Sequence, residues 1–140
     1  MKNKLQIHPL ETLNKFAANT IMEVLGIKVT AMGEDFIEAT MPVDKRTHQV
    51  YGIMHGGASV VLAETLGSMG AMLTVDQTKY RCVGIDVNAN HLKAVKSGIV
   101  TGTAKPIHTG RSTQVWGIEI KNGAGELVCI SRLTVAVVTI

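Results

Sequence analysis

The chain has 140 residues, 46% hydrophobic and 18% charged, which excludes a disordered chain and fits one ordinary domain with a real core. Fourteen basic residues against eleven acidic ones give a formal charge of +3, with no dense Lys/Arg run, and aromatics are only 4%. That balance argues against a nucleic-acid module that stacks bases and against a basic membrane-binding patch, while an anionic small molecule remains compatible with it.

The opening MKNKLQIHPLETL has no apolar leader core, and no segment is long enough to span a bilayer, so a cytoplasmic protein is the expectation. Leu10, Leu13, Phe16 and Ala17 fall at helical spacing and predict a short surface helix over residues 10–19. From residue 26 to 43 the period changes: Phe36, Glu38 and Thr40 alternate with Ile37, Ala39 and Met41, and Gly33-Glu34 separates two runs, which predicts a hairpin. A polar loop, DKRTHQVYG, leads to Gly56-Gly57. There the longest element opens, a helix reaching Thr74 or Val75. Four strands follow, over 82–92, 98–107, 112–121 and 126–138, with an Asn122-Gly123 turn signal before the last.

This order predicts one α+β domain over residues 1–140, with a mostly antiparallel sheet of about six strands and one long helix. The sheet is expected to wrap the helix, because Leu62, Leu66 and Met69 cover one side while Gly57, Ala58, Ala63, Gly67, Gly70 and Ala71 offer small surfaces elsewhere. Cys82 and Cys129 lack CxxC spacing and are read as free, buried thiols.

The run THQVYGIMHGGASVVLAETLGSMGAM holds the chemistry. Glu64 is the one charge in an otherwise apolar helix, and Ser68, four residues on, shares its face. His55 precedes the glycine pair at the helix start, where unpaired N–H groups favour a developing oxyanion, and Gln49 upstream offers an amide donor. A carbonyl held by N–H donors, with a carboxylate to attack it or to activate water, is acyl-transfer chemistry. Gly56 and Glu64 are eight residues apart, roughly 12 Å along a helix. Glu64 therefore serves a carbonyl held at another chain's helix start more readily than at its own, and two helices packed antiparallel about a two-fold axis give two composite sites.

These residues resemble the signature of the hotdog-fold acyl-CoA thioesterases, closest to the branch that includes the 1,4-dihydroxy-2-naphthoyl-CoA thioesterases of menaquinone synthesis and the 4-hydroxybenzoyl-CoA type. HGG, eight residues from its first glycine to Glu64, is the specific part; EATMPVD, GIDVNANHLKAVKSG and PIHTGRSTQVW extend the likeness over nearly the whole chain. The resemblance implies the hotdog fold, homodimers often paired as dimers of dimers (homotetramers), and sites at the dimer interface. It implies Glu64 as nucleophile or general base, Gln49 and the Gly56 N–H on the thioester carbonyl, His55 orienting the thioester, and Ser68 holding water. Coenzyme A contacts carry over to Gly84, to His91, Leu92, Lys93 and Ala94, and to His108, Thr109, Gly110, Arg111, Ser112 and Thr113. Lys93 stands where the family commonly has Arg, followed by Ala94 instead of Pro. It keeps the charge without the bidentate fork.

The resulting expectation is hydrolysis of an acyl-CoA thioester, with an aryl acyl group such as 1,4-dihydroxy-2-naphthoyl favoured, no cofactor and no metal. Met54, Val60, Val61, Met69 and Met72 are the expected acyl-pocket lining. The alternatives are a hotdog hydratase or dehydratase, which places a His beside the acyl α/β carbons, and a non-catalytic acyl-CoA-binding protein, for which 140 residues leave no room for the usual DNA-binding domain.

Overall fold

A computed structural model describes residues 3–140. The elements run α1 (Leu10–Asn14), a 3₁₀ turn (Lys15–Ala17), α2 (Ile21–Leu25), β1 (Lys28–Gly33), β2 (Phe36–Val43), α3 (Gly56–Met72), β3 (Tyr80–His91), β4 (Gly98–Thr109), β5 (Thr113–Lys121) and β6 (Leu127–Thr139). The six strands form one sheet in the order β1-β2-β4-β5-β6-β3, and every pairing is antiparallel. The sheet packs on α3, which touches β2, β3, β4, β5 and β6. This is the hotdog arrangement.

Sequence patterning accounts for most of it. In β2 the inward residues Ile37, Ala39, Met41 and Val43 are buried and alternate with half-buried ones, as a strand with one face on a core requires. Along α3, Leu62, Ala63, Leu66 and Ala71 are fully buried and spread round the helix instead of forming one stripe, which suits a central helix wrapped by a sheet. Its C-terminal end is tied to β5 by a buried polar chain. Trp116 Nε1 donates to Gln114 Oε1 at 2.9 Å, Gln114 Nε2 donates to Thr74 Oγ1 at 2.8 Å, and Thr74 Oγ1 donates to the Ala71 carbonyl. Every polar atom buried there finds a partner, so the helix end is fixed without an unsatisfied group.

Three expectations change in detail. The predicted helix over 10–19 is a short α-helix followed by a 3₁₀ turn, and a second helix, α2, follows it. Thr20 caps α2 by accepting from the Met22 N–H, Glu23 accepts from the Asn19 N–H, and Gly26 closes it at φ +69°. The central helix stops at Met72. The β5–β6 turn is longer than a two-residue Asn-Gly turn: Asn122 Oδ1 accepts from the Ala124 and Glu126 N–H groups, and the left-handed residue is Gly125 at φ +80°.

β3 positions the site. It lies at the sheet's edge, pairs only with β6, and is twelve residues long. A bulge between Gly84 and Asp86 inserts Ile85 and switches the facing parity: Cys82 packs toward the core before it, Val87 and Ala89 after it.

Candidate active site

The first half of the site surrounds the start of α3. The loop before it is pinned on two sides, by the His55 N–H to the Thr47 carbonyl at 2.7 Å and by the Met54 N–H to the Val95 carbonyl at 2.8 Å. Within it, Gln49 Oε1 accepts from the Tyr51 N–H. With Oε1 so engaged the Gln49 NH₂ is left as a donor; among the described residues it has no acceptor. Gln49, Met54, Gly56, Ser59, His91 and Lys93 are among the residues lining a cavity of about 340 Å³. A Cβ on Gly56 would stand 2.7 Å from His91 Nε2, so glycine keeps the helix start open. The Gly56 N–H is one of the helix's first-turn donors and finds no acceptor among the described residues. His55 is the N-cap. Its Nδ1 accepts from the Gly57 N–H at 2.8 Å, so the neutral ring carries its proton on Nε2, a donor on an exposed side chain.

The second half lies farther along the same helix. Glu64 and Ser68 are half-buried on the flank that meets β3. Among the described residues the Glu64 carboxylate and the Ser68 hydroxyl have no hydrogen-bond or ion-pair partner. Gly84 is why the carboxylate fits: a Cβ there would come 2.7 Å from Glu64 Oε1. Beyond Glu64 opens a cavity of about 520 Å³, with Ser68, Met69 and Met72 of α3, Phe16, Ile21 and Met22 of the N-terminal helices, and Cys82 of β3 in its wall. Burial pushes the Cys82 thiol up, so it lines this wall as a weakly polar group and not as a thiolate. No residue lines both cavities; Glu64 is in the wall of neither, but its chain neighbour Thr65 and Ser68, one turn on, line the apolar one. Within one chain the donors and the carboxylate belong to opposite stretches of one helix, as their spacing predicts. Among the described residues no three His, Cys, Asp or Glu side chains converge as a metal site requires.

Residues 51–129 match the thioesterase superfamily. The chain is 49% identical over 128 residues to the proofreading thioesterase EntH of Cronobacter turicensis, spanning 91% of this chain and 93% of that one. It is 46% identical over 128 residues, with the same coverage, to the 1,4-dihydroxy-2-naphthoyl-CoA hydrolase of Escherichia coli. A mutant thioesterase of Pseudomonas aeruginosa, solved by crystallography, superposes with a TM-score of 0.96 at 50% identity, covering 99% of this chain and all of that one. The chain belongs to the thioesterase superfamily.

In this member of the superfamily the residues expected to meet coenzyme A fall in three places. His91, Leu92, Lys93 and Ala94 border the cavity at the start of α3. Lys93 is ion-paired with Glu126 across the loops, and the Lys93 hydrogen bond, with one from Asn122, holds the Glu126 carboxyl below its ordinary range. His108 to Thr113 form the end of β4, the turn and the start of β5. There Gly110 and Arg111 share a cavity with Asp76 and Tyr80, the first residue of β3, whereas His91 is its last. One chain therefore holds the two stretches at opposite ends of β3. Gly84 belongs with neither; it sits beneath Glu64.

The five residues expected to line an acyl pocket are spread over the molecule. Met69 and Met72 line the apolar cavity, Met54 lines the other one, and Val60 and Val61 line neither. Phe16, Thr20, Ile21, Met22, Thr65 and Cys82 were not expected. A cue existed for part of this set: Thr20, Glu23 and Gly26 form a cap-and-stop pattern around α2. That residues of α2 and α3 share one cavity wall is a tertiary fact with no local signal.

Proposed function

We propose that the chain hydrolyses an acyl-CoA thioester to the free acid and coenzyme A, in a site completed by a second copy. The observation that carries this is Glu64: a half-buried carboxylate with no partner among the described residues, given room by Gly84, on a helix whose next residues, Thr65 and Ser68, line an apolar cavity. Carboxylates are seldom buried without a partner, so an unpartnered one at a cavity is a candidate for chemistry. The Gln49 amide and the Gly56 N–H polarise the thioester carbonyl, and His55 Nε2–H lies at the same helix start to orient the thioester. Glu64 of the partner subunit either attacks the carbonyl carbon or takes a proton from water held at Ser68. In the general-base route the water oxygen attacks, the carbon–sulfur bond breaks, and the proton passes to the departing coenzyme A thiolate; in the nucleophilic route the thiolate leaves an acyl-Glu64 anhydride, which water hydrolyses, freeing the acid and Glu64 and supplying the thiolate's proton. The acyl group occupies the cavity of Met69, Met72, Phe16 and Met22, where methionines adapt to an aryl group. The named E. coli relative supports an aryl substrate such as 1,4-dihydroxy-2-naphthoyl-CoA, and with it a role in menaquinone biosynthesis. The reaction draws on side chains and water alone, in the cytoplasm.

The pairing has structural support. β3 is a long edge strand that exposes Val83 and Ile85, and an uncovered apolar edge invites another strand. Joining two such edges antiparallel sets each helix start toward the partner's Glu64. We extend this to a dimer of dimers. A panel of acyl-CoA substrates with free-thiol detection tests the reaction, and crotonyl-CoA and 3-hydroxyacyl-CoA in the same panel separate hydrolysis from hydration or dehydration. Wild-type turnover in Glu64→Ala would overturn the assignment. Single-turnover hydrolysis in ¹⁸O-water separates nucleophile from general base, because only an anhydride route puts a carboxylate oxygen into the first product.

A further inference from the structure

Tyr80 is the one residue shared by the walls of two cavities. The first is the apolar cavity of about 520 Å³ beside Ser68, Met69 and Met72; the second, of about 240 Å³, is polar, with Thr74, Asp76, Gly110 and Arg111 in its wall. Tyr80 opens β3 two residues before Cys82, so the two side chains take the same face of the strand, and Cys82 lines the apolar cavity as well. The ends of that cavity can be told apart along α3. Ser68 is one turn from Glu64, whereas Met72 is eight residues from it, roughly 12 Å along the axis. The polar cavity starts past that end, at Thr74 and Val75. Tyr80 therefore closes the apolar cavity at the end farthest from the carboxylate. Its backbone is held firmly: the N–H donates to the Asp76 carbonyl at 3.0 Å, the carbonyl accepts from Arg81 Nη1 at 3.1 Å, and Thr139 of β6 is its strand partner. Among the described residues its hydroxyl has no partner, so the side chain contributes bulk. A tyrosine suits such a boundary, because its ring is apolar and its tip polar. On the other flank Phe16 and Ile21 are 49% and 53% exposed, so an acyl tail leaving past them stays in water and gains little burial.

We propose that Tyr80 is the end wall of the acyl pocket and sets the longest acyl group that the chain accepts. The inference rests on the acyl-CoA reading above. An aryl or medium-chain acyl group ends against the ring. A longer chain has to push Tyr80 aside or turn out past Phe16 and Ile21. The same side chain keeps the acyl group out of the compartment of Gly110 and Arg111, where the resemblance puts a coenzyme A contact. Replacing Tyr80 by alanine empties the volume of the ring and joins the two cavities, so the pocket lengthens with no change at Gln49, Gly56 or Glu64. A single misplaced methylene in an apolar pocket changes kcat/KM by about tenfold or more, so the effect falls on long acyl groups and spares short ones.

The test measures kcat/KM of wild type, Tyr80→Ala and Tyr80→Phe on benzoyl-CoA, octanoyl-CoA and lauroyl-CoA. Each value is taken relative to benzoyl-CoA, so that any change in coenzyme A binding cancels. Wild type is expected to turn over lauroyl-CoA about tenfold or more less efficiently than octanoyl-CoA. Tyr80→Ala removes that drop, and Tyr80→Phe keeps it, because the hydroxyl has no partner to lose. Tyr80→Val, β-branched and suited to a strand, shows part of the gain and replaces Tyr80→Ala if a melting curve shows that variant unfolded. A wild type without the drop, an alanine or valine variant that retains it in full, or a phenylalanine variant that loses it overturns the proposal. If wild type hydrolyses none of the three, the hydrolase reading fails by itself. Calorimetric titration with the same thioesters then decides the wall: a lauroyl-to-benzoyl affinity ratio about tenfold higher in Tyr80→Ala than in wild type upholds it, and an equal ratio or no binding removes it.

Discussion

At the start of α3 the cavity is walled by Gln49, Ser59, His91 and Lys93; toward its end the cavity is walled by Phe16, Ile21, Met22, Met69 and Met72. One end offers hydrogen-bond donors whose acceptors are missing. The other offers apolar side chains and, at its border, a carboxylate whose partner is missing. A thioester needs both sets around one carbon, and the helix separates them by roughly 12 Å. The two ends are complementary to each other but too far apart to meet within one chain, which the two-fold pair of antiparallel helices proposed above would resolve.

The largest effect should come from removing the unpartnered carboxylate. Glu64→Gln is expected to lower kcat by about 10³-fold or more, on the scale of losing a nucleophile or general base, with little change in thermal midpoint, since no partner is broken. Steady-state hydrolysis and a melting curve check both halves of that statement. Gly84→Ala should be nearly as informative. It leaves every reacting group in place but pushes a methyl to 2.7 Å from Glu64 Oε1. A displacement of about 1 Å costs about 10²-fold in rate, so kcat should fall on that order while KM holds.

Mixing the two ends tests the comparison directly. Glu64→Ala and Gln49→Ala chains are each expected to be nearly inactive. Unfolded together and refolded, half of randomly formed dimers are mixed, and each mixed dimer has one intact site of two, so activity should return to about a quarter of wild type. No recovery above the separate variants, with mixed dimers verified by mass, would place the whole site within one chain. A milder change sharpens the apolar end alone. Met72→Trp narrows its cavity and should raise KM for bulky aryl-CoA about tenfold while sparing acetyl-CoA. The same series should leave Gln49→Ala with a loss in kcat that does not depend on acyl size.

How much of this could be read from the chain depends on how local each feature is. Strict alternation along β2 and the lone charge at Glu64 are local, and both were legible. The spacing of Gly56 and Glu64 is fixed by helix geometry, so the split between the two ends was legible as well. Gly84 was not. A glycine on a strand can make room for a ligand or for a neighbouring side chain, and only the facing of β3 shows that it makes room for Glu64. That facing depends on the bulge at Ile85, which no residue pattern announces. The apolar cavity was half legible for the same reason. Met69 and Met72 follow from the helix face, but Phe16 of the 3₁₀ turn and Ile21 and Met22 of α2 reach it through tertiary packing, and Met54 is held at the polar end by the Val95 hydrogen bond.

The smallest effect concerns the loop that presents Gln49. Asp44 accepts from the Arg46 backbone N–H at 2.9 Å and from its guanidinium, and these bonds lower its pKa from 3.8 to about 2. A carboxyl depressed by folding contributes stability that is complete above its unfolded value and disappears as pH falls through its folded one. The window is therefore from about pH 4 down to about pH 2. Because the pair is exposed, its share of global stability is small. The local consequence is specific to one end of α3: protonating Asp44 frees Arg46 beside Thr47, whose carbonyl holds the His55 N–H. NMR shifts of residues 44–49 should titrate with a midpoint near 2, those of Leu66 to Ala71 should not follow them, and Asp44→Asn should abolish the titration at 44–49. A midpoint near 4 would mean that the Arg46 clamp does not hold the loop, and the carbonyl-binding end would then owe its order to the Thr47 and Val95 hydrogen bonds alone.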